Sequence, residues 1–220
     1  MKPHSVFVTG ASGYIGTRLV PALLARGHGV AALVRPGREG VLPEGCRVVT
    51  GDALDAASFR EKLGDAETLV HLVGVAHPSP AKATAFHDVD LASLRAALAA
   101  AFYARVRHFI YLSVAQPAPL MRAYVAARAE GEALLLASGM DATILRPWYV
   151  LGPGHRWPLL FMPLYRLAEA MPLTRAGARR LGLVKLEQLL GALIGSVESP
   201  VSGCRVIDVT TIRGAPPVIY

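Results

Sequence analysis

A chain of 220 residues with 53% hydrophobic and 18% charged side chains has enough apolar content to bury a core, and that composition excludes a disordered chain. The net charge of +7 is dispersed, with no basic stretch interleaved with aromatics, so no nucleic-acid partner is expected; Arg175-Ala176-Gly177-Ala178-Arg179-Arg180 is the one dense basic run. No apolar run reaches the ~20 residues that span a bilayer, the first residues read as a strand rather than a leader, and Cys46 and Cys204 are too few for a disulfide framework, so a cytoplasmic location with no transmembrane segment is the expectation.

In chain order, strands are expected at Ser5–Thr9, Gly29–Val34, Arg47–Thr50, Thr68–Leu72, His108–Leu112 and Thr143–Arg146. Helices are expected near Tyr14–Arg26, Ala56–Leu63, Ala92–Ala104 and Arg122–Ser138. Short apolar strands separated by helices are buried on both faces and therefore run parallel. Right-handed crossovers then give an α/β fold, a doubly wound parallel sheet. After Arg146-Pro147 the texture changes, and Pro153, Pro158, Pro163 and Pro172 punctuate a segment rich in Trp, Phe, Met and Leu. It reads as a helix at Leu159–Ala170, a second at Leu186–Ser196 and a late strand at Cys204–Val209. The expectation is one domain over 1–220, with residues 148–183 as a small C-terminal cap above the carboxyl edge of the sheet. The same apolar residues would equally serve a homodimer face.

The stretch Val8-Thr9-Gly10-Ala11-Ser12-Gly13-Tyr14-Ile15-Gly16 carries the most chemistry. It is a strand, a tight glycine turn and a helix start. Backbone N–H groups at a helix N-terminus lie at its positive end, where a pyrophosphate can rest. Gly10 permits the sharp turn, Gly13 lets phosphates approach the backbone, and Gly16 lets the helix pack on the strand. With Ser12, Tyr14 and Ile15 between and beside them, these residues form a candidate dinucleotide site. About 20 residues beyond such a turn, an acid would bind the ribose hydroxyl of NAD. Here Arg35 stands there with Arg38 close behind. A guanidinium fork donates paired hydrogen bonds to a 2′-phosphate, which favours NADP while leaving NAD open. The alternative is two solvated loop arginines. Asp52, with Ala53 after it, ends the third strand and could accept from an adenine amino group. A turn or helix-cap role competes, and Asp55 competes for the cap. Gly74, Val75 and Ala76 follow the fourth strand, where small residues let backbone lie beside a coenzyme.

These residues and others in the same order are similar to the short-chain dehydrogenase/reductase superfamily, in its extended and atypical, epimerase-like or NmrA-like branches. The matches are Thr9 to Gly16, Gly51-Asp52, Tyr111-Leu112-Ser113, Tyr124-Val125-Ala126-Ala127-Arg128-Ala129-Glu130 and Ile144 to Pro153. The resemblance covers about residues 5–155 and implies an NAD(P)-binding Rossmann fold. It implies that Ser113 orients a substrate oxygen, that Tyr124 is the general acid/base, and that backbone at Pro147 lies against the nicotinamide. It also implies a lysine four residues after the tyrosine, which shares a helix face with it. A phenol with an ordinary pKa near ~10 needs such a cation to exchange protons at neutral pH. Here the position is Arg128, which keeps the charge but is larger, planar and a poor proton relay.

Two functions are therefore expected from different classes. One is an NADP(H)-dependent oxidoreductase moving hydride to or from a small carbonyl or alcohol substrate, with Ser113, Tyr124 and Arg128 as its catalytic set. The other is a non-catalytic NAD(P)(H)-binding sensor, regulator or assembly module. Nucleotide-sugar epimerases rank lower, because the roughly 70 residues after Pro147 leave little room for a sugar-nucleotide domain. Trp148 and Tyr149 are candidates for a pocket lining or for packing, and His155-Arg156-Trp157 for an acidic-substrate contact. His71, His77 and His87 lack a metal-ligand spacing, so no metal is expected. Neither G-x-S-x-G nor a G-x-x-x-x-G-K-[ST] loop occurs.

Overall fold

The computed structural model describes residues 2–75, 79–154, 171 and 175–218. The strands are β1 (Ser5–Thr9), β2 (Gly29–Val34), β3 (Arg47–Thr50), β4 (Thr68–His71), β5 (His108–Leu112), β6 (Asp141–Leu145), β7 (Tyr149–Leu151), β8 (Leu183–Lys185) and β9 (Cys204–Ile207). Among the described residues, seven of them form one sheet in the order β3-β2-β1-β4-β5-β6-β9, and every pairing is parallel. The order reverses between β1 and β4, so a crevice opens there at the carboxyl ends of the strands, as in doubly wound folds.

Strand β1 shows why both faces are covered. Val6 and Val8 point into one core with Leu19, Leu23, Leu189 and Leu193. Phe7 points into the other with Phe59, Leu63, Leu94 and Leu135. All three strand residues have no exposed surface. The period of two thus divides one apolar run between two layers. The first layer holds α1 (Gly16–Ala25) and, later in the chain, the helix Leu186–Glu198. The second holds α2 (Ala92–Tyr103) and α3 (Arg122–Ala137). Among the described residues the further helices are a single turn at Ala83–Ala85 and α4 (Arg175–Arg180), α5 (Leu186–Glu198) and α6 (Val209–Gly214).

The elements differ from expectation in three places. The helix expected at Ala56–Leu63 is instead two 3-10 turns, Ala56–Ser58 and Arg60–Lys62. Asp55 accepts from the Ala57 N–H at 3.0 Å, and the Ser58 hydroxyl bonds the carbonyl oxygens of Asp55 and Asp52. Side-chain bonds of this kind compete with the α-helical ladder. A π turn at Phe86–Leu91 leads into α2 and buries Phe86, Asp90 and Leu91. The third difference is a parallel pair between β7 and β8, which forms part of the expected cap. The helix expected at Leu159–Ala170, with Pro158, Pro163, Pro172 and His155-Arg156-Trp157, lies outside the described residues, as do Ala76 and His77. No helix among the described residues is long and apolar enough to cross a membrane.

Candidate functional site

The glycine turn has the form the sequence requires. Gly10 has φ +74°, and a Cβ on it would lie 2.8 Å from the Leu72 carbonyl carbon on β4's exit. A Cβ on Gly16 would lie 2.5 Å from the Gly10 and Ala11 carbonyl oxygens, so helix and turn touch there. Gly13 is different: it is exposed, and its Cβ would meet only the Gly10 oxygen, at 3.1 Å. Its N–H closes the turn onto Gly10 at 3.0 Å. Helix α1 has no side-chain cap and no acid in its first turn. The N–H groups of Ser12 and Ile15 have no acceptor among the described residues. Unsatisfied donors at a bare helix N-terminus fit a diphosphate. Tyr14 reaches the other way, and a Cβ on Gly152 would lie 2.2 Å from its hydroxyl. The turn is thereby packed onto the chain just after β7.

Arg35 and Arg38 are both exposed in the turn after β2, where the Arg38 N–H bonds the Arg35 carbonyl at 3.1 Å. Their guanidinium groups have no partner among the described residues. Glu39 shares this turn and accepts from the Gly37 N–H. Asp52 is exposed and closes a local turn by accepting from the Leu54 N–H at 2.9 Å, which leaves its second oxygen open. Ala53 is half-buried beside it. The capping role belongs to Asp55.

Arg128 stands where the resemblance implies a lysine. The guanidinium is buried at 5% exposure and is committed to the protein's own groups. It pairs with Asp90 at 2.6 Å, donates to the Leu112 carbonyl at 2.7 Å, and reaches the Val73 carbonyl at 3.5 Å. Asp90 in turn accepts from the Val75 N–H at 2.9 Å. Gly74 is small for this reason as well, since a Cβ there would lie 2.2 Å from Arg128 Nη2. Burial pushes the Asp90 carboxyl above the usual carboxylate range, and the facing guanidinium opposes the rise. The guanidinium lies 5.4 Å from the Tyr124 ring centre and 5.6 Å from that of Tyr111. Tyr124 is half-buried and tilts against Phe86, with ring centres 5.1 Å apart. Burial raises the Tyr111 phenol.

Tyr124, Arg128, Glu132 and Leu135 share one face of α3 at helical spacing. Glu132 is the member that sequence reasoning missed. Its buried carboxylate accepts from the Ser113 hydroxyl at 2.5 Å and is forked by Arg146 through Nε and Nη2. Ser113 is therefore held by Glu132, whereas Tyr124 is held by Arg128. Pro147 is buried, and its carbonyl accepts from the Ala115 N–H, joining the exits of β5 and β6. Behind the glycine turn, fully buried His71 lies 2.8 Å from the Thr9 hydroxyl and 3.4 Å from that of Ser93. Burial, with Arg128 adding to it, pushes the His71 imidazole down to about 3.

Comparison with known proteins places this geometry. A family model described as NAD(P)H-binding matches residues 10–155. The 3-diazoavenalumate denitrifying reductase of a Streptomyces species is 33% identical over 96% of this chain and 77% of that protein. The ceramide reductase of Caulobacter vibrioides is 28% identical over 94% of this chain and 65% of that protein. With two further relatives covered at 50% and 54%, the chain spans half to three quarters of these proteins' length. Among solved structures, the Bordetella bronchiseptica enzyme WbmH in complex with NAD+ matches with a TM-score of 0.69 at 22% identity, over 94% of this chain and 75% of that one. UDP-glucuronic acid 4-epimerase from Bacillus cereus in complex with NAD matches at 0.68 and 18%, over 93% and 77%. Likeness at those identities is likeness of fold. The matched span begins at the glycine turn and takes in Asp90, Ser113, Tyr124 and Arg128, and on that footing the chain belongs to the NAD(P)H-binding family, with the Rossmann fold of those solved structures.

Proposed function

We propose that this chain is an NADP(H)-dependent oxidoreductase acting on a small carbonyl or alcohol, with Tyr124 passing the proton. The observation that carries the reading is the half-buried Tyr124 phenol stacked beside a permanently charged guanidinium at the carboxyl edge of the sheet. The coenzyme, when bound, supplies or accepts hydride at its nicotinamide. The amides of Ser12 and Ile15 hold its diphosphate, and Arg35 and Arg38 take the 2′-phosphate that distinguishes NADP from NAD. In the reducing direction Tyr124 donates its proton to the oxygen of the carbonyl as the carbon gains hydride. The Arg128 guanidinium supports that charge change and does not itself move a proton. Ser113 donates to Glu132, so its oxygen remains as an acceptor that can orient a substrate hydroxyl.

The test is NADPH oxidation against a panel of aldehydes and ketones. Tyr124→Phe is expected to lower turnover by roughly 10²–10⁴ while leaving NADPH affinity within a few-fold, the usual scale of lost acid–base assistance. Turnover that survives Tyr124→Phe overturns the assignment. The second reading, a coenzyme-binding module without turnover, draws on the commitment of Ser113 and Arg128 to internal carboxylates. It predicts tight NADPH binding with no oxidation by any member of the panel.

A further inference from the structure

A cavity of about 450 Å³ lies between α3 and the segments leaving β5 and β6. Its walls are Gln116, Pro117 and Ala118 after β5, Arg122, Val125 and Ala126 on α3, and Arg146 after β6. No acid lines it. Arg146 is fixed from behind, because Glu132 takes its Nε and Nη2 and leaves Nη1 without a partner among the described residues. Arg122 is exposed and also has no partner there. A third cation stands at the rim, where Arg180 donates through Nε to the Pro117 carbonyl at 3.0 Å. This arginine closes the dense basic run that the sequence left without a purpose. The helix end at Arg122 has no acid in its first turn. A larger cavity of about 840 Å³ at the opposite edge of the sheet differs, since Glu67 pairs there with His4 and Arg107, and Asp65 accepts from Ser5.

We infer that the smaller cavity is a receptor for the carboxylate of a small molecule whose remainder is apolar. Guanidinium forks bind carboxylates in paired hydrogen bonds. Pro117, Val125 and Ala126 supply an apolar wall for the rest of the molecule, and the volume suits one small ligand. Glu132 keeps the Arg146 fork aimed before the ligand arrives, so little ordering is left for binding to complete. The cavity opens on the face of α3 turned from Tyr124, because Arg122 and Ala126 each stand two residues, about 200°, from it on the helix. The ligand therefore binds apart from Tyr124, and the receptor stands independently of the oxidoreductase reading.

Binding tests this directly. Benzoate, benzamide and inorganic phosphate are titrated into the full chain by calorimetry, with backbone amide shifts followed at Gln116, Ala118 and Val125. Benzoate is expected to move those amides and to bind at least ~10-fold tighter than benzamide or phosphate, the scale of one charge-assisted bond. Arg122→Met and Arg180→Met are surface changes expected to weaken benzoate by ~10-fold without lowering Tm, with Arg122→Lys recovering part of the loss. Equal binding of benzoate and benzamide, or no effect of Arg122→Met, overturns the receptor. Tighter phosphate overturns the carboxylate assignment.

Discussion

Arg128 is the residue on which the chemistry and the stability of this chain meet. Its guanidinium is buried against Asp90, so removing either partner strands a charge in the interior. Asp90→Ala is expected to cost about 3–5 kcal/mol, read from urea unfolding. Exchanging both residues for apolar ones of similar volume (Asp90→Leu with Arg128→Met) is expected to cost less than the single change, and an additive loss would contradict the pairing. The carboxylate was not legible in the sequence. Asp90 precedes a helix in an unremarked polar segment, and only the π turn and the β4–β5 pairing bring it beneath α3. Glu132 was half-legible, since it stands four residues after Arg128, but nothing local said that Arg146 and Ser113 would converge on it. Histidines give a second prediction at this scale. Burial lowers His71 to about 3 and His108 to about 4, from an unfolded value of 6.5. Between those limits the unfolded chain binds protons that the folded chain excludes, so stability present above pH 6.5 is lost as pH falls toward 4. Thermal melts from pH 7.5 to 4.5 should show Tm falling on the acid side. His71→Asn, which retains hydrogen-bonding groups, should flatten that slope, and an unchanged slope would remove His71 from the account.

Among the elements, the strand–turn–helix at the start of the chain was read from sequence almost residue for residue. An unbroken apolar run, three spaced glycines and an apolar period of 3.6 all point the same way there, and tertiary context had nothing to overrule. The three glycines nevertheless act differently. Gly10→Ala places a side chain at positive φ and against Leu72, and Gly16→Ala drives a Cβ into two carbonyl oxygens. Both are expected to lower stability by about 1–3 kcal/mol, read from Tm of the chain without coenzyme. Gly13→Ala meets only one oxygen at 3.1 Å and should change Tm little, while weakening NADPH by roughly 10-fold or more where the diphosphate approaches the backbone. Loss of stability without loss of affinity at Gly13 would contradict the phosphate role. The segment Ala56–Leu63 was misread as a helix for an opposite reason. Its apolar spacing is helical, but the Asp55 and Ser58 side chains capture the backbone locally and tighten it into 3-10 turns. Strand β7 is not legible in the sequence because it is three residues long and its partner among the described residues, β8, lies far along the chain.

For the molecule as a whole, the doubly wound order brings the glycine turn, the Arg35 turn, the Asp90–Arg128 pair and the Tyr124 helix to one edge of a parallel sheet. That arrangement followed from the alternation of short apolar strands with helices, so the fold was legible even where individual contacts were not. Coenzyme choice belongs to this scale because it depends on a charge difference across the crevice. NADPH is expected to bind at least ~10-fold tighter than NADH at matched ionic strength, and Arg35→Ala with Arg38→Ala should erase the difference and reduce its salt dependence. Equal affinities in the parent chain would end the NADP assignment while leaving NAD open. In the proposed complex the coenzyme's diphosphate rests on the amides of the first turn and its nicotinamide reaches Tyr124. Backbone and tyrosine NMR shifts recorded during an NADPH titration test it most directly. Saturable shifts are expected at Ser12, Gly13 and Ile15, at Arg35, and at the Tyr124 ring. Saturation of the coenzyme with those signals unmoved, or with movement confined to the amino-end edge around His4 and Arg107, would contradict it.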